Sequence, residues 1–171
     1  MVPSSPFLER RLVQAARLKT AETVVEIGSG TGGTTRALLS AMNDDSRLLA
    51  IERTAEFVPA LKRLDDPRLT VVHGCASNLL AEVRRHGLGA PDAVVSGVPF
   101  STLPEQLARH IVAEVQAALG VHGRFVAYQL SGRVSDYAGP LFGQPQIEQE
   151  LRNIPPMRVF TWVKPDAALA A

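Results

Sequence analysis

The hydrophobic residues of the chain fall into short runs that alternate with longer amphipathic segments. Apolar runs bounded by turn residues predict five buried strands: Val24–Ile27, Arg47–Ile51, Leu69–His73, Asp92–Val95 and Phe125–Gln129. The intervening segments predict helices: Thr34–Met42, Thr54–Leu64, Ser77–Arg85 and a longer one that follows Thr102. Strands that alternate with helices are typical of a parallel sheet covered by helices on both faces.

The pattern changes after the fifth predicted strand. Residues 131–146 are rich in glycine, proline and serine, and they are predicted to form a loop that contributes to substrate selection. Two extended segments follow, Ile147–Arg152 and Arg158–Lys164, and the connection between them is too short for a crossover helix. The sequence therefore predicts one α/β domain over residues 1–171. It has an N-terminal helical segment at residues 1–20, a mostly parallel seven-stranded sheet and a C-terminal antiparallel hairpin.

A glycine-rich loop follows the strand Val24–Ile27. Gly28, Gly30 and Gly32 fit the pattern G-x-G-x-G, while the dinucleotide fingerprint G-x-G-x-x-G is fitted when Gly33 replaces Gly32. Such a loop lets a ligand approach the backbone closely at the N-terminus of a helix. The next predicted strand is followed by Glu52, where a carboxylate can accept hydrogen bonds from a ribose diol. Together these features predict an adenosine-containing cofactor.

An acidic residue, Glu26, lies inside the first strand, two positions before the loop. Folds that bind NAD usually keep apolar residues there, because a pyrophosphate follows. S-adenosyl-L-methionine instead carries an ammonium and a sulfonium, for which a nearby carboxylate is favourable. Glu26 therefore favours S-adenosylmethionine over NAD. The alternative is structural, with Glu26 in an ion pair with Arg36 or Arg53.

Charge and composition narrow the range of partners. Eighteen basic residues balance seventeen acidic ones for a net charge of +1, whereas a protein that grips a long stretch of nucleic acid is expected to be strongly basic. No stretch approaches the roughly 18 continuous apolar residues of a membrane span, and the N-terminal sequence has no apolar signal segment. His73 and Cys75 alone are too few ligands for a metal site. We therefore expect a cytoplasmic protein that binds no metal.

Three motifs point to a known family: Glu26–Gly32 (EIGSGTG), Asp92–Pro99 (DAVVSGVP) and Arg152–Pro156 (RNIPP), with Trp162 beyond. With these motifs the whole chain resembles the class I S-adenosylmethionine-dependent methyltransferases. Within that class it is similar to the short bacterial phospholipid N-methyltransferases, which are related to the rRNA adenine dimethyltransferases. The resemblance implies a Rossmann-like methyltransferase fold, S-adenosyl-L-methionine as cofactor and an amine-bearing acceptor.

The resemblance also implies a set of cofactor contacts at the carboxyl ends of the first four strands. In this sequence they are Glu26, Gly28, Ser29, Gly30, Gly32, Glu52, Arg53, Cys75, Ala76 and Ser96. One position departs from the family pattern, because relatives have an aspartate where this chain has Cys75. That aspartate accepts a hydrogen bond from the adenine amino group, so Ser77, Asn78 or a water must do so here.

The candidates for catalysis lie where the fourth strand ends, at the expected junction between methyl donor and acceptor. They are Ser96, Pro99 and Phe100. The predicted substrate contacts are Phe100, Ser131, Arg133 and Tyr137. In the predicted loop, Tyr137 can face a methylated ammonium and Arg133 a phosphate. The segment Asn153–Pro156 is either a stiff hairpin corner or a part of the substrate site.

These observations predict an S-adenosylmethionine-dependent N-methyltransferase whose leading acceptor is a phospholipid amine headgroup such as phosphatidylethanolamine. Such an enzyme would work at the inner face of the membrane. Adenine N6-methyltransferases use an Asn or Asp where this chain has Ser96, which is a weaker acceptor. The alternatives are an rRNA-type adenine N6-methyltransferase, a small-molecule N-methyltransferase, and a non-catalytic binding protein that keeps the cofactor fold.

Overall fold

The computed structural model describes residues 4–166. Their backbone forms one sheet in the order β3-β2-β1-β4-β5-β7-β6. The strands are β1 (Thr23–Ile27), β2 (Arg47–Glu52), β3 (Leu69–His73), β4 (Ala93–Ser96), β5 (Arg124–Gln129), β6 (Gln146–Glu150) and β7 (Met157–Val163). The first five pair in parallel, whereas β7 is antiparallel to both of its neighbours, β5 and β6. The predicted mixed sheet with its terminal hairpin is confirmed.

Helices cover both faces of this sheet. Within the described residues they are α1 (Pro6–Ala15), α2 (Gly33–Ala41), α3 (Val58–Lys62), α4 (Leu79–Arg85), α5 (Glu105–Ala118) and α6 (Arg133–Phe142). Helices α1 and α2 pack on one face, and α4, α5 and α6 pack on the other. Side chains alternate between the two faces along each strand. In β1, Val25 and Ile27 face the α4–α6 side, while Val24 faces α1 and α2.

The prediction of a loop over residues 131–146 is wrong for most of that segment, because Arg133–Phe142 forms α6. Its glycine, serine and proline content suggested a loop, but its apolar residues recur at helical spacing. Tyr137 and Phe142 are buried, and the Phe142 ring centroid lies 6.4 Å from that of Trp162 on β7. Packing of this apolar face outweighs the weak helix propensity of the composition. A glycine, Gly143, then ends the helix with a φ of +80°.

Helix α1, near the start of the described chain, is bonded to the C-terminal hairpin. Ser5 caps the helix by accepting a hydrogen bond from the Leu8 backbone amide at 3.2 Å. On the opposite side of α1, the Arg11 guanidinium donates to Glu150 at 2.6 Å and to Glu148 at 2.7 Å, both on β6. The N-terminal helix is therefore held against the C-terminal hairpin, next to the carboxyl ends of the parallel strands.

Candidate functional site

The glycine loop forms a tight bend between β1 and α2. Gly28 has a φ of +73°, and a Cβ at this position would lie 3.0 Å from the Val98 backbone nitrogen. A side chain is excluded by both the backbone conformation and the close approach of the neighbouring strand end. The Gly28 amide donates to the Ile51 carbonyl at 3.0 Å. The loop is thus pressed between the ends of β2 and β4, where ligands bind in open α/β sheets.

Glu52, the last residue of β2, supports this loop from beneath. Its carboxylate accepts hydrogen bonds from the backbone amides of Gly30 and Thr54, each at 2.7 Å. The side chain is buried, and it also lines a cavity. A carboxylate has lone pairs beyond the two used here, so the same group can accept further hydrogen bonds from hydroxyls in that cavity.

Glu26 is fully buried near the end of β1. One carboxylate oxygen, Oε2, accepts a hydrogen bond from the Thr35 hydroxyl at 2.5 Å, while Oε1 has no hydrogen-bond partner among residues 4–166. Burial raises the pKa of Glu26 to about 7, although the hydroxyls of Thr35 and Ser29 act in the opposite direction. Its bonded partner is Thr35 rather than the arginine of the structural alternative. A buried carboxylate with a free oxygen fits a cationic ligand group such as an ammonium.

A cavity of about 410 Å³ opens above the ends of β1, β2, β3 and β4. Its walls combine the loop residue Gly28 and the carboxylate of Glu52 with apolar side chains of the α5 region. They are Gly28, Ile51, Glu52, Arg53, Thr54, Gly74, Cys75, Ala76, Gly97, Val98, Pro99, Thr102, Leu103, Pro104, Leu107 and Ile111. A cavity with a polar end and an apolar remainder suits a nucleoside.

A second cavity, of about 330 Å³, lies on the other side of the strand end. We call it the acceptor-side cavity. It is lined by Ser4, Leu8, Ser29, Thr31, Gly33, Thr34, Gly97, Pro99, Ser101, Tyr128, Gln129, Leu130, Asn153, Pro155 and Met157. Gly97 and Pro99 line both cavities, so the segment after β4 is the wall that separates them. Two ligands placed in the two cavities would meet at this wall.

The dividing segment is held by buried hydrogen bonds. The Gln129 amide donates to the Val98 carbonyl at 2.8 Å, and its oxygen accepts from the Phe100 backbone amide at 3.3 Å. The Ser96 hydroxyl accepts from the Val98 amide at 3.3 Å. Because both ends of the turn are fixed, the wall has a defined shape.

The sequence also matches a known family. The model for the protein-L-isoaspartate(D-aspartate) O-methyltransferase (PCMT) family matches residues 1–96, more than half of the chain. The chain belongs to this family. It is a class I S-adenosylmethionine-dependent methyltransferase, and S-adenosyl-L-methionine is its cofactor. The predicted enzyme class and cofactor are confirmed.

Curated relatives of this methyltransferase include enzymes with lipid and RNA in their names. It is 29% identical to ornithine lipid N-methyltransferase from Singulisphaera acidiphila over 159 residues, which is 91% of this chain and 83% of the relative. It is 34% identical to ribosomal RNA small subunit methyltransferase A from Phenylobacterium zucineum over 96 residues. That match covers 55% of this chain and 32% of the relative.

Solved structures support the fold. The N-methyltransferase NodS from Bradyrhizobium japonicum WM9 superposes with a TM-score of 0.73 at 14% identity, over 95% of this chain and 98% of NodS. A second structure of NodS, in complex with S-adenosyl-L-homocysteine, gives the same TM-score.

The structure brings half of the predicted cofactor residues of the methyltransferase together in one cavity. Gly28, Glu52, Arg53, Cys75 and Ala76 line the first cavity. Ser29 lines the acceptor-side cavity, whereas Glu26, Gly30 and Gly32 line neither cavity. Ser96 lines neither cavity and holds the dividing turn instead. The binding roles of these residues remain predictions.

The four predicted substrate contacts lie elsewhere. They are Phe100, Ser131, Arg133 and Tyr137, and none of them lines either cavity. Phe100 is fully buried against Tyr137, with ring centroids 6.4 Å apart. The Tyr137 ring already has a cation of its own chain, since the Arg109 guanidinium lies 5.6 Å from its centroid. The folding of α6 explains the position of Tyr137, which the helix turns toward the core, whereas Arg133 on the same helix is exposed.

Tyr128 is the main feature of the site that sequence reasoning missed. It lines the acceptor-side cavity, and its hydroxyl lies 3.3 Å from the Thr34 hydroxyl, which in turn lies 3.2 Å from that of Ser4. The available signal was its position in β5, where alternation places it on the same face as Glu26. In the segment Asn153–Pro156, Asn153 and Pro155 both contribute to the wall of this cavity, and a substrate-lining role for the segment stays a prediction.

Proposed function

We propose that this methyltransferase transfers a methyl group to the amine of a lipid headgroup, of the class that includes phosphatidylethanolamine and ornithine lipid. The observation that carries the proposal is the lining of the acceptor-side cavity. Its walls are hydroxyls, amides, backbone and apolar groups, and no lining residue within the described chain carries a charged side chain. Such a cavity suits an uncharged amine nucleophile attached to an apolar body.

The named activities of the relatives support this choice unequally. The match to ornithine lipid N-methyltransferase extends over 91% of the chain. The family model ends at residue 96, and the match to the RNA methyltransferase covers about half of the chain. The model's matched region therefore excludes Tyr128, Gln129 and Asn153, which shape the acceptor-side cavity. For this reason we base the acceptor on the cavity rather than on the family's name.

We propose the following residues as the ones that hold the cofactor. S-adenosylmethionine supplies a methyl group on a sulfonium, which a nitrogen lone pair can attack. We assign the ammonium of the cofactor to the free oxygen of Glu26, and its ribose diol to Glu52. The adenine then lies among the apolar residues of the first cavity, beside Cys75 and Ala76. The loop of Gly28 admits the remainder of the molecule close to the backbone.

On the acceptor side, Tyr128 is the group best placed to orient the amine. Burial raises the pKa of Tyr128, so its hydroxyl stays protonated and uncharged at neutral pH. A hydroxyl oxygen can accept a hydrogen bond from an N–H of the amine while the nitrogen lone pair points to the wall at Gly97. The hydroxyls of Thr34 and Ser4 continue from Tyr128 in a row. We infer that this row holds the acceptor in register with the methyl donor.

The proposed place of action is the cytoplasmic face of a membrane. In the part of the chain that the structure describes, no helix is both long and apolar enough to cross a bilayer. In this proposal the lipid headgroup enters the acceptor-side cavity from the membrane surface.

Radiolabelled methyl transfer tests the proposal. The protein is incubated with labelled S-adenosylmethionine and, separately, with phosphatidylethanolamine or ornithine lipid in mixed micelles, with rRNA, and with ethanolamine. We expect label in lipid only. Label in adenine of rRNA would establish the RNA alternative, and label in ethanolamine alone would establish a small-molecule enzyme. Calorimetric binding of the cofactor without any transfer would indicate a non-catalytic binder.

A further inference from the structure

Two strongly exposed aliphatic side chains lie on the turn between β6 and β7. We call residues 151–156 the hairpin tip. Leu151 is 70% exposed and Ile154 is 82% exposed, whereas most large apolar side chains of the described chain are buried. Leu130, at the end of β5, is 62% exposed and lines the acceptor-side cavity, as do two residues of the hairpin tip. The exposed side chains of Leu130, Leu151 and Ile154 are thus concentrated beside this cavity.

The hairpin tip is built to keep its apolar side chains outward. The Asn153 side chain turns inward, where it accepts from the Ser5 amide at 2.8 Å and donates to the Pro155 carbonyl at 2.7 Å. Arg152 is ion-paired with Glu150 at 2.8 Å, and its guanidinium lies 4.1 Å from the centroid of the Phe7 ring. The polar groups of the turn are therefore satisfied within the protein, and the aliphatic groups are left at the surface.

Charge around the hairpin tip matches an anionic surface. Residues 151–158 contain two arginines and no acidic residue; Arg152 is paired with Glu150, whereas Arg158 has no ion pair among the described residues. The nearest carboxylates, Glu148 and Glu150 on β6, are already paired with arginines of the chain. Exposed aliphatic side chains next to the exposed Arg158 fit the interface of an anionic bilayer.

We propose that the hairpin tip is a membrane-docking surface, which inserts Leu151 and Ile154 into an anionic bilayer and so places the acceptor-side cavity over the lipid headgroups. This inference rests on the proposed lipid-amine function. It commits to a bilayer rather than to a second copy of the chain, because a protein partner seated on this surface would cover the entrance through which the acceptor must pass.

The experiment compares Leu151→Ser/Ile154→Ser with a matched control, Val121→Ser. Val121 is 57% exposed and lies between α5 and β5, outside both cavities and far along the chain from the hairpin tip. Each protein is sedimented with vesicles of phosphatidylcholine and phosphatidylglycerol. We expect the double variant to partition at least about tenfold more weakly than the unmodified protein, because two aliphatic side chains no longer insert. The control should bind as the unmodified protein does.

Methylation of two forms of the same acceptor separates docking from chemistry. The double variant should lose activity toward phosphatidylethanolamine in vesicles but keep it toward a short-chain, monomeric phosphatidylethanolamine. Unchanged vesicle binding of the double variant would overturn the docking surface. This holds even if sedimentation velocity showed a changed oligomeric state, which would point to a second copy of the chain as the occupant. If no protein methylates either lipid form while the difference in vesicle binding persists, the lipid-amine function is wrong and the docking surface stands. Thermal melting confirms that the double variant is folded.

Discussion

Gly97 and Tyr128 are packed so closely that any side chain at position 97 would force its neighbours to move. A Cβ there would collide with the Tyr128 hydroxyl and would lie 2.8 Å from the Gly28 carbonyl oxygen. Gly97 lines both cavities, and Tyr128 lines the acceptor-side cavity. The glycine therefore keeps the wall between the cavities thin at the point where the glycine loop, the end of β4 and the end of β5 meet.

Gly97→Ala should destabilise the protein and abolish methyl transfer. The added methyl group forces Tyr128 or the loop carbonyl to move, which costs about 1–3 kcal/mol of unfolding free energy as in other overpacked sites. Urea unfolding and the transfer assay measure the two effects. Gly139→Ala in α6 is the matched control, because a Cβ there meets nothing within 4 Å. A fully active Gly97→Ala protein would contradict the role of the wall.

Tyr128→Phe should lower the rate of transfer while leaving cofactor affinity unchanged. The change removes the hydroxyl proposed to orient the amine and keeps the ring that packs against the sheet. We expect a loss of about tenfold to a hundredfold in kcat, the usual range for one hydrogen bond that positions a reactant. Calorimetry with S-adenosylhomocysteine is the second readout. Equal losses in affinity and rate would instead indicate a general disturbance of the wall.

The changes Gly97→Ala and Tyr128→Phe can also be combined in one protein. Removal of the hydroxyl relieves one of the two collisions that Gly97→Ala creates, so the stability losses should be less than additive. Additive losses would mean that the methyl group at position 97 is accommodated by moving the Gly28 carbonyl alone.

The sheet was predictable from the sequence because its strands are continuous apolar runs with a strong period. The hairpin followed from the short Asn153–Pro156 connection. Helix α6 was not predictable from composition, since its glycine, serine and proline residues favour a loop locally. The helix forms because Phe142 packs near Phe125 and Trp162 and Tyr137 packs against Phe100, all of which come from other elements of the chain. That packing is a tertiary effect which local propensity does not contain.

The two halves of the site also differed in how well the sequence predicted them. Glu26, Gly28 and Glu52 lie within one continuous β-loop-α-β segment, so their spacing alone predicted a cofactor site. The acceptor-side cavity combines residues from the N-terminus, the glycine loop, β5 and the hairpin. Tyr128 has no motif around it, and only the sheet order places it beside Gly97.

Glu52→Ala should weaken cofactor binding by about 1–3 kcal/mol, because it removes a charged hydrogen-bond partner. It should also lower stability, since the Gly30 and Thr54 amides lose their acceptor. Calorimetry with S-adenosylhomocysteine and urea unfolding measure the two effects. Glu56→Ala is the control, because Glu56 is an exposed acid four residues further along the chain. Unchanged affinity of Glu52→Ala would mean that the ribose is held by other groups.

Cofactor affinity should rise with pH toward neutrality, and Glu26 should be the reason. Burial raises the pKa of Glu26 to about 7 from an ordinary value of 4.5. Its protonated form therefore stabilises the ligand-free protein below about pH 4.5, and this contribution is lost as the pH rises to about 7. An ammonium beside the carboxylate lowers that pKa, so binding releases a proton and strengthens by up to about tenfold per pH unit below pH 7.

Glu26→Gln is the variant that isolates this effect, because it keeps the shape of the side chain and removes its titration. Calorimetry with S-adenosylhomocysteine from about pH 5.5 to about pH 7.5 should show a rising affinity for the unmodified protein and a flat profile for Glu26→Gln. At the upper end the variant should bind about tenfold to a hundredfold more weakly, since its amide cannot neutralise the ammonium. Identical slopes for the two proteins would assign the proton to another group, and the free oxygen of Glu26 would then not be the ammonium site.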